Sequence, residues 1–288
     1  MALRANPTLR QRRLGVELRR MREQANLGGS QLARLLGCAP AQITQMETAK
    51  TGISVERLYT IAELCMCTNE PLVNALADII TDRGARGWWE EYRGVLPTDF
   101  LDVAELEGHA RELTHFAMTY IPGLLQTRSY ANALFTKGLL PLPQQEIDLR
   151  TTFRLRRQQV VRSGETPYLA LLHEAALRGQ YGGRAVLRDQ LFSLLEVSEH
   201  PGISIRVVPF EVADLPLPSE DFAHMAGPVP ELDTIQVDAF YGSHLFDSPA
   251  RLGRYRAALE RIGSIALSEN ESRDFIRSIM KEMQDSND

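Results

Sequence analysis

The chain has 288 residues, of which 44% are hydrophobic and 24% are charged, with a formal net charge of −5. This length suits two domains, and the composition is typical of globular proteins, so extensive disorder is excluded. No apolar run is long enough to span a membrane, and the basic N-terminus lacks the apolar core of a secretory signal, so a cytoplasmic protein is expected. Cys38, Cys65 and Cys67 form neither an even disulfide set nor a metal-ligand pattern. We therefore predict reduced cysteines, no metal and no cofactor.

The charge is distributed unevenly along the chain. Residues 1–60 contain ten Lys or Arg and four Asp or Glu, a net of +6, whereas residues 61–288 contain 22 and 33, a net of −11. A basic N-terminal segment followed by an acidic remainder of the chain favours a first domain that binds a polyanion. The alternative is a helix whose arginine-rich face is simply solvated.

Five short helices are predicted in the first eighty residues. The first, within 8–25, is indicated by apolar residues that recur on one face: Leu9, Leu14, Leu18 and Met21. The others are predicted at 30–36, from Pro40, from the cap residue Ser54, and at 71–81. Because no strand pattern separates them, residues 8–83 are predicted to form a compact all-α domain.

A helix, a turn centred on Gly37 and a second helix resemble the helix-turn-helix of the XRE class, the phage-repressor-like regulators. The matching residues are Leu32-Ala33, Leu36-Gly37, Ile43, Met46, Glu47, Lys50 and Leu58. In that class the second helix of the motif lies in the DNA major groove. The resemblance therefore implies a protein that binds double-stranded DNA in a sequence-specific manner.

The resemblance places the base-contacting positions on the third helix, at Pro40, Ala41, Gln42, Thr44 and Gln45. An amide can pair with N6 and N7 of adenine together, so Gln45 is the strongest candidate. Thr44 can contact a base or a thymine methyl group, whereas Pro40 and Ala41 cannot hydrogen-bond through their side chains. An ordinary surface helix is the alternative interpretation of this face.

DNA phosphates are expected to be contacted by the N-terminal arm and by six side chains: Arg10, Arg12, Arg13, Ser30, Arg34 and Lys50. The XRE class often has Ser or Thr followed by Gln where this chain has Gly28 and Gly29. One phosphate anchor is therefore lost, and the helix cap is expected at Ser30. Glu47 resembles the buried acid of the class, which implies an ion pair with Arg22; the alternative for Glu47 is an exposed charge.

Residues 84–100 are predicted to form a helical linker that contains Trp88, Trp89 and Tyr92 at helical spacing. We interpret the two tryptophans as side chains that dock the linker onto a core. A partner or ligand surface at Trp88 and Trp89 is the alternative.

Residues 101–284 are predicted to form a mixed α/β domain in which helices cover a sheet. Strands are predicted at 113–121, 168–172, 203–209, 221–226, 234–240 and 243–246. Helices are predicted at 128–135, 144–161, 187–197, 250–267 and 271–283.

Four stretches of this second domain, YIPGLLQTRSYANAL, FRLRRQQVV, LHEAALR and ISIRVVPF, carry a further resemblance. They are similar to the uncharacterised domain that follows the helix-turn-helix in many actinobacterial regulators, the Scr-type antitoxin-like group. The resemblance covers roughly residues 90–280, and IPGLLQT is its most specific motif. It implies an antitoxin-like regulator whose second domain binds a small partner protein encoded nearby.

Two groups of side chains in the second domain are candidates for a partner or ligand surface. Arg150, Arg154 and Arg157 share one helix face and can hold an acidic partner, with a solvated face as the alternative. His173 and Glu174 follow a predicted strand, and ligands gather at the C-terminal ends of parallel strands.

No catalytic constellation is recognised in the second domain. His173-Glu174 is not followed by the second histidine of a zinc protease. Ser219, Glu220, Asp221 and His224 contain a serine, acids and a histidine, but the chain has no nucleophile-elbow motif. We therefore predict a protein without catalytic residues.

These patterns together predict a DNA-binding regulator that acts as a homodimer on an inverted repeat, with half-sites about 34–36 Å apart. Two alternatives remain open. One is a regulator that senses a small molecule, and the other is a small-molecule enzyme with a degenerate helix-turn-helix. The apolar Pro40 and Ala41 and the lost phosphate anchor favour the enzyme, whereas the basic N-terminal segment and the missing catalytic set disfavour it.

Overall fold

The computed structural model describes residues 6–82, 87–211, 218–239 and 242–285. They form two compact units. The first unit consists of Met1–His109 together with Pro228–Leu232, and the second consists of Ala110–Gly227 and Asp233–Asp288. The predicted fold classes are confirmed, since the first unit is helical and the second contains a mixed sheet with helices.

The helices of the first unit follow the predicted order, with one addition. They are α1 Leu9–Gln24, α2 Gly29–Leu35, α3 Pro40–Glu47, α4 Val55–Leu64, α5 Glu70–Thr81 and the unpredicted α6 Thr98–His109. Thr8 begins α1 with a capping box: its hydroxyl accepts the N–H of Gln11, and the Gln11 side chain accepts the N–H of Thr8. Ser54 caps α4 as predicted. Apolar residues of α1 to α5 and Leu232 share one buried core.

The cap predicted at Ser30 is wrong. Gly28 is the residue that precedes α2, and its N–H donates to Oε1 of Gln31 at 2.6 Å. Ser30 therefore lies inside the first turn of the helix rather than before it. A glutamine side chain supplies the cap that the two glycines cannot.

The predicted helical linker is also different in the structure. Residues 84–86 lie outside the described residues, and Trp88–Tyr92 forms a short 3-10 helix. Trp89 is buried, with its ring edge-on to His109 at a centroid distance of 5.7 Å. A Cβ at Gly108 would lie 2.8 Å from this ring, so the glycine makes room for it. The geometry supports the docking interpretation of Trp89.

The second unit is built on a six-stranded sheet in the order β3-β2-β1-β4-β5-β6. The strands are β1 Glu112–Ala117, β2 Tyr168–His173, β3 Ile203–Val208, β4 Phe222–Ala226, β5 Thr234–Ala239 and β6 Gly242–Phe246. β1, β2 and β3 are parallel, whereas β4, β5 and β6 are antiparallel to their neighbours.

Helices connect the parallel strands and close the chain. They are α7 Arg128–Thr136, α8 Gln144–Arg157, α9 Gln159–Arg162, α10 Glu174–Arg178, α11 Arg184–Val197, α12 Pro249–Ile265 and α13 Glu269–Asp285. Phe116, Leu171 and Val237 lie on the sheet face that packs against α12. Because side chains alternate along a strand, His115 and Gln236 belong to the other face.

The strand predicted at 113–121 ends four residues early, at Ala117. The carboxylate of Asp221 accepts hydrogen bonds from the backbone N–H groups of Met118, Thr119 and Tyr120. These three consecutive bonds form a turn, which ends the strand at Ala117. The helix predicted at 144–161 is split into α8 and α9 at Gln158. Phe240, the last residue of another predicted strand, lies outside the described residues.

Candidate DNA interface

The turn between α2 and α3 depends on Gly37, which has a φ of +62°. This left-handed region favours glycine because it has no Cβ. The N–H of Cys38 returns to the carbonyl of Ala33 at 2.9 Å and closes α2. Pro40 opens α3 at a position where its missing N–H is tolerated.

Helix α3 has one buried and one outward face. Ile43 and Met46 are buried in the core of the first unit. The predicted base-contacting residues lie on the rest of the surface: Pro40, Ala41, Gln42 and Thr44 are exposed and Gln45 is half-buried. Within the described ranges, no hydrogen bond involves the side chains of Gln42, Thr44 or Gln45, so these groups can bond to a ligand.

The structure brings Arg22 and Glu47 together in a bidentate ion pair. Nε of Arg22 lies 2.6 Å from Oε1 and Nη2 lies 2.9 Å from Oε2 of Glu47. The hydrogen bond to Glu47 raises the pKa of Arg22 further. The third nitrogen, Nη1, donates to the carbonyl of Leu27 at 2.9 Å. One side chain therefore links α1 to the end of α3 and to the loop before α2.

A glycine that belongs to none of the sequence motifs also sets the position of α3. Gly15 lies in the middle of α1, and a Cβ there would be 2.5 Å from the carbonyl oxygen of Glu47. The backbones of α1 and α3 can approach this closely only because no side chain stands between them. The available signal was a lone glycine inside a helical pattern, which often has a packing reason.

Three of the predicted phosphate-contacting arginines are engaged inside the first unit. Arg10 pairs with Asp82 at 2.6 Å, and Arg12 pairs with Asp102. Arg13 is 9% exposed, pairs with Glu17 and donates to a backbone carbonyl of the same unit. Its guanidinium is buried among protein partners, which disfavours the predicted phosphate contact of Arg13.

The other three predicted phosphate-contacting residues are at the surface near α3. Ser30, Arg34 and Lys50 are all exposed. In the part of the chain that the structure describes, neither Arg34 nor Lys50 forms an ion pair. These two cations remain the best candidates for DNA phosphate contacts.

The predicted arginine stripe of α8 is already occupied by partners in the second unit. Arg150 pairs with Glu146, one turn earlier on the same helix. Arg154 lies 4.3 Å over the ring of Phe135 and donates to Oε1 of Gln126 at 2.8 Å. Arg157 is half-buried. The stripe is therefore largely a structural element rather than an open basic surface.

His173 and Glu174 hold the end of β2 instead of lining an open pocket. Nδ1 of His173 accepts the N–H of Ala175 and caps α10, and its ring packs edge-on against Phe210. Burial lowers the pKa of His173. The Glu174 carboxylate accepts Nε of Arg178 at 2.6 Å and the N–H of Phe210 at 2.9 Å. Both side chains are buried and bonded, so the pocket prediction is not supported here.

The IPGLLQT motif is held by three buried glutamines. Gln126 donates to the carbonyl of Ile121, and Gln158 donates to the carbonyls of Gly123 and Gln126. Gln190 donates to the carbonyl of Leu125 and accepts the N–H of Thr127. These bonds satisfy the backbone of a buried loop, which gives the motif a structural explanation.

The residues considered for hydrolysis do not form one set. Asp221 is bonded to the backbone of 118–120, whereas His224 lies 2.7 Å from Asp233, which also binds Arg256. No group of three or more potential metal ligands is found within the described residues.

Cys65 and Cys67 lie at the end of α4, where burial raises the pKa of the Cys65 thiol. Across the described ranges, no helix has both the length and the apolar character to cross a bilayer.

Comparison with known proteins gives two family matches. Residues 13–76 match a helix-turn-helix domain, and residues 100–278 match the family described as a domain of unknown function, DUF5753. No curated protein and no solved structure matches the chain. The helix-turn-helix match supports a DNA-binding regulator rather than an enzyme. The second match spans more than half of the sequence, and the chain therefore belongs to the DUF5753 family.

Proposed function

We propose that the chain binds an inverted-repeat operator as a homodimer, with α3 in the major groove of each half-site. The observation that carries this proposal is the outward face of α3. It presents Thr44 and Gln45 with unengaged side chains, beside the exposed cations Arg34 and Lys50. Such a face offers base recognition and phosphate attraction together.

The arrangement behind α3 supports the same proposal. A helix that reads bases must keep a fixed position, because a displacement of about 1 Å can break a bidentate contact to a base. The Arg22–Glu47 pair and the close approach at Gly15 hold the C-terminal end of α3 against α1. A single short helix makes few base contacts, so two copies on half-sites about 34–36 Å apart would supply the needed specificity.

For the second unit we propose an antitoxin-like role, in which it binds a small partner protein that controls operator binding. The resemblance of the IPGLLQT region to such regulators motivates this assignment. Under this proposal the partner, rather than a cofactor, regulates the protein.

The test is a footprint on fragmented genomic DNA at two salt concentrations, with wild type and a Thr44→Ala/Gln45→Ala variant. We expect a protected inverted repeat that the variant no longer selects. A Gln24→Ala/Thr60→Ala variant is the matched control, because both residues are exposed in the same unit but outside α3. Uniform, salt-sensitive binding that ignores both variants would contradict base recognition by α3.

One observation favours a second candidate, a regulator that senses a small molecule. His115, Ala223 and Gln236 are cross-strand neighbours, so the first and last flank a small alanine on one sheet face. The Gln236 amide nitrogen donates to Asp238 and Ser243. Among the described residues, the buried Nδ1 of His115 and Oε1 of Gln236 have no hydrogen-bond partner. Buried polar atoms normally have one, which a small polar ligand would supply.

A thermal-shift screen with a metabolite panel tests this candidate. A compound bound between these atoms should raise the Tm of wild type by roughly 2–4 °C. The same compound should have little effect on Gln236→Leu, which lacks the acceptor oxygen. Equal shifts in both proteins would place the compound elsewhere.

A further inference from the structure

Strand β6 forms one end of the sheet. Within the described residues it pairs with β5 alone, from Ile235 opposite Phe246 to Ala239 opposite Gly242. Each of its five residues is at least partly accessible to solvent. The outer edge of such a strand carries backbone N–H and C=O groups to which another extended chain can pair.

A cleft of about 570 Å³ lies at this end of the sheet, on the face that packs against α12, and is lined by His244 and Phe246 of β6 and by the first half of α12. Its aromatic wall is a row of stacked rings. The ring of Phe246 is nearly parallel to that of Tyr255 at 6.3 Å and to that of His244 at 6.4 Å. Flat, solvent-accessible rings of this kind favour an aromatic or large aliphatic side chain.

The cleft also carries positive charge. Arg251 lies 4.3 Å over the Phe246 ring, and Arg254 lines the same cleft one turn later. Both are exposed, and in the described part of the chain neither forms an ion pair. Glu220, the carboxylate in the lining, accepts the hydroxyl of Tyr255 and, among the described residues, forms no ion pair with either arginine. Both guanidinium groups are therefore left to bind carboxylates from outside.

We propose that β6 accepts an acidic, extended segment of a partner protein as a seventh strand of this sheet. Its alternate side chains would enter the cleft, with an apolar one on Phe246 and carboxylates on Arg251 and Arg254. This inference rests on the proposed binding of a partner protein and specifies where and how it occurs. A second copy of the chain fits less well, because Gly242–Phe246 contains no carboxylate to offer these arginines.

The test uses the full chain and a fluorescein-labelled ten-residue peptide in which glutamate alternates with valine and phenylalanine replaces one central glutamate. The phenylalanine and the remaining glutamates then lie on one face of the strand. A matched peptide carries lysine in place of glutamate. Anisotropy titration should give a Kd on the order of 10–100 µM for the acidic peptide, since strand addition with few anchors is weak. The lysine peptide should bind at least about tenfold more weakly.

Protein variants distinguish binding at Arg251 and Arg254 from non-specific electrostatic attraction to the unit. Arg251→Glu/Arg254→Glu should weaken the acidic peptide by about tenfold or more. Arg261→Glu/Lys281→Glu reverses two other exposed charges of the same unit and should leave binding unchanged. Arg251→Gln/Arg254→Gln serves if the reversed charges disturb folding. Hydrogen exchange should show that bound peptide protects the backbone amides of 242–246.

Four results would overturn the proposal. They are equal binding of both peptides, binding without protection of 242–246, no binding at about 1 mM peptide, and protection that rises with protein concentration alone, which would indicate self-pairing. The operator footprint of Arg251→Glu/Arg254→Glu should stay intact. Failure of the peptide assay with an intact footprint would therefore refute the β6 site without refuting DNA recognition. Peptide binding with a lost operator footprint would refute DNA recognition without refuting the β6 site.

Discussion

Arg22 on α1 holds Glu47 on α3 through two parallel hydrogen bonds, and their side chains are 12% and 11% exposed. Another arginine–glutamate pair of α1, Arg19 with Glu23, is 62% and 51% exposed. The two pairs share their chemistry and differ in burial. They therefore allow a controlled comparison of what each contributes to the fold.

Replacement of Glu47 by alanine should lower the free energy of unfolding by about 3 kcal/mol, because the largely buried Arg22 guanidinium loses its bidentate partner and keeps Glu23, at 3.8 Å, as a nearby carboxylate. Chemical denaturation measures this. Arg19→Ala should change the stability little, since exposed pairs are screened by water. Similar losses in both variants would show that burial does not decide the contribution of these pairs.

Gly15→Ala should destabilise the first unit, although alanine is the better helix former. The new Cβ would overlap the Glu47 carbonyl, and overpacking of this kind costs about 1–3 kcal/mol. Because the clash displaces α3, operator affinity should also fall. Gly29→Ala is the matched control, since its Cβ would meet open space. An unchanged or higher stability of Gly15→Ala would contradict the close approach.

The salt dependence of DNA affinity should distinguish the surface cations Arg34 and Lys50 from the buried Arg13. Arg34→Ala and Lys50→Ala should each reduce the slope of log affinity against log salt by about 1, without changing base preference. Arg13→Ala should instead lower the stability of the unit, because the residue lies inside it. A reduced salt slope for folded Arg13→Ala would restore this arginine as a phosphate contact.

Gln190→Leu should destabilise the second unit, because it deprives the carbonyl of Leu125 and the N–H of Thr127 of their partner. Each buried group left unsatisfied costs roughly 1–3 kcal/mol. Gln159→Leu changes an exposed glutamine of the same unit and should have little effect. Loss of partner binding without loss of stability would instead give the motif a direct functional role.

The stability of the second unit should depend on pH through His115. Burial lowers the pKa of His115 to about 4 from its usual 6.5, so the unfolded chain takes up a proton before the folded one does. The titration of His115 therefore leaves the free energy of unfolding unchanged above pH 6.5. It lowers this free energy as the pH falls towards 4, by about 3 kcal/mol in total. The difference in unfolding free energy between wild type and His115→Gln, measured from pH 7 to 4, isolates this term. A difference that does not change with pH would refute it.

The helices and strands were largely predictable because their periodicity reflects burial. The apolar residues of α1 and the alternation at 203–208 indicate one buried face each. Strand 113–121 was too long because the bend at 118–120 depends on Asp221, about a hundred residues away in sequence. Local patterns carry no information about such a distant partner.

The role of a site residue was predictable where a sequence motif defines it. It was not predictable where the role depends on neighbours that are distant in sequence. The Arg22–Glu47 pair followed from the helix-turn-helix resemblance. The burial of Arg13 was not predictable, because an arginine in a basic segment has the same local pattern whether its partner is a phosphate or Glu17. The cleft at β6 was missed because Phe246 and Arg251 face each other only after α12 packs on the sheet.

The first unit is discontinuous in sequence, since it includes Pro228–Leu232 and buries Leu232 in its core. A ribosome that adds about 5–20 residues per second needs roughly 6–25 s to travel from residue 109 to residue 232. During that interval the emerging helix-turn-helix lacks one of its core side chains. Carbonyl and carboxylate groups of Glu231, which bind Arg13 and Asn69, are missing as well. The nascent chain therefore completes the unit that contains its helix-turn-helix only after most of the sheet has been synthesised, so a prematurely terminated product would carry the helix-turn-helix on an incomplete core.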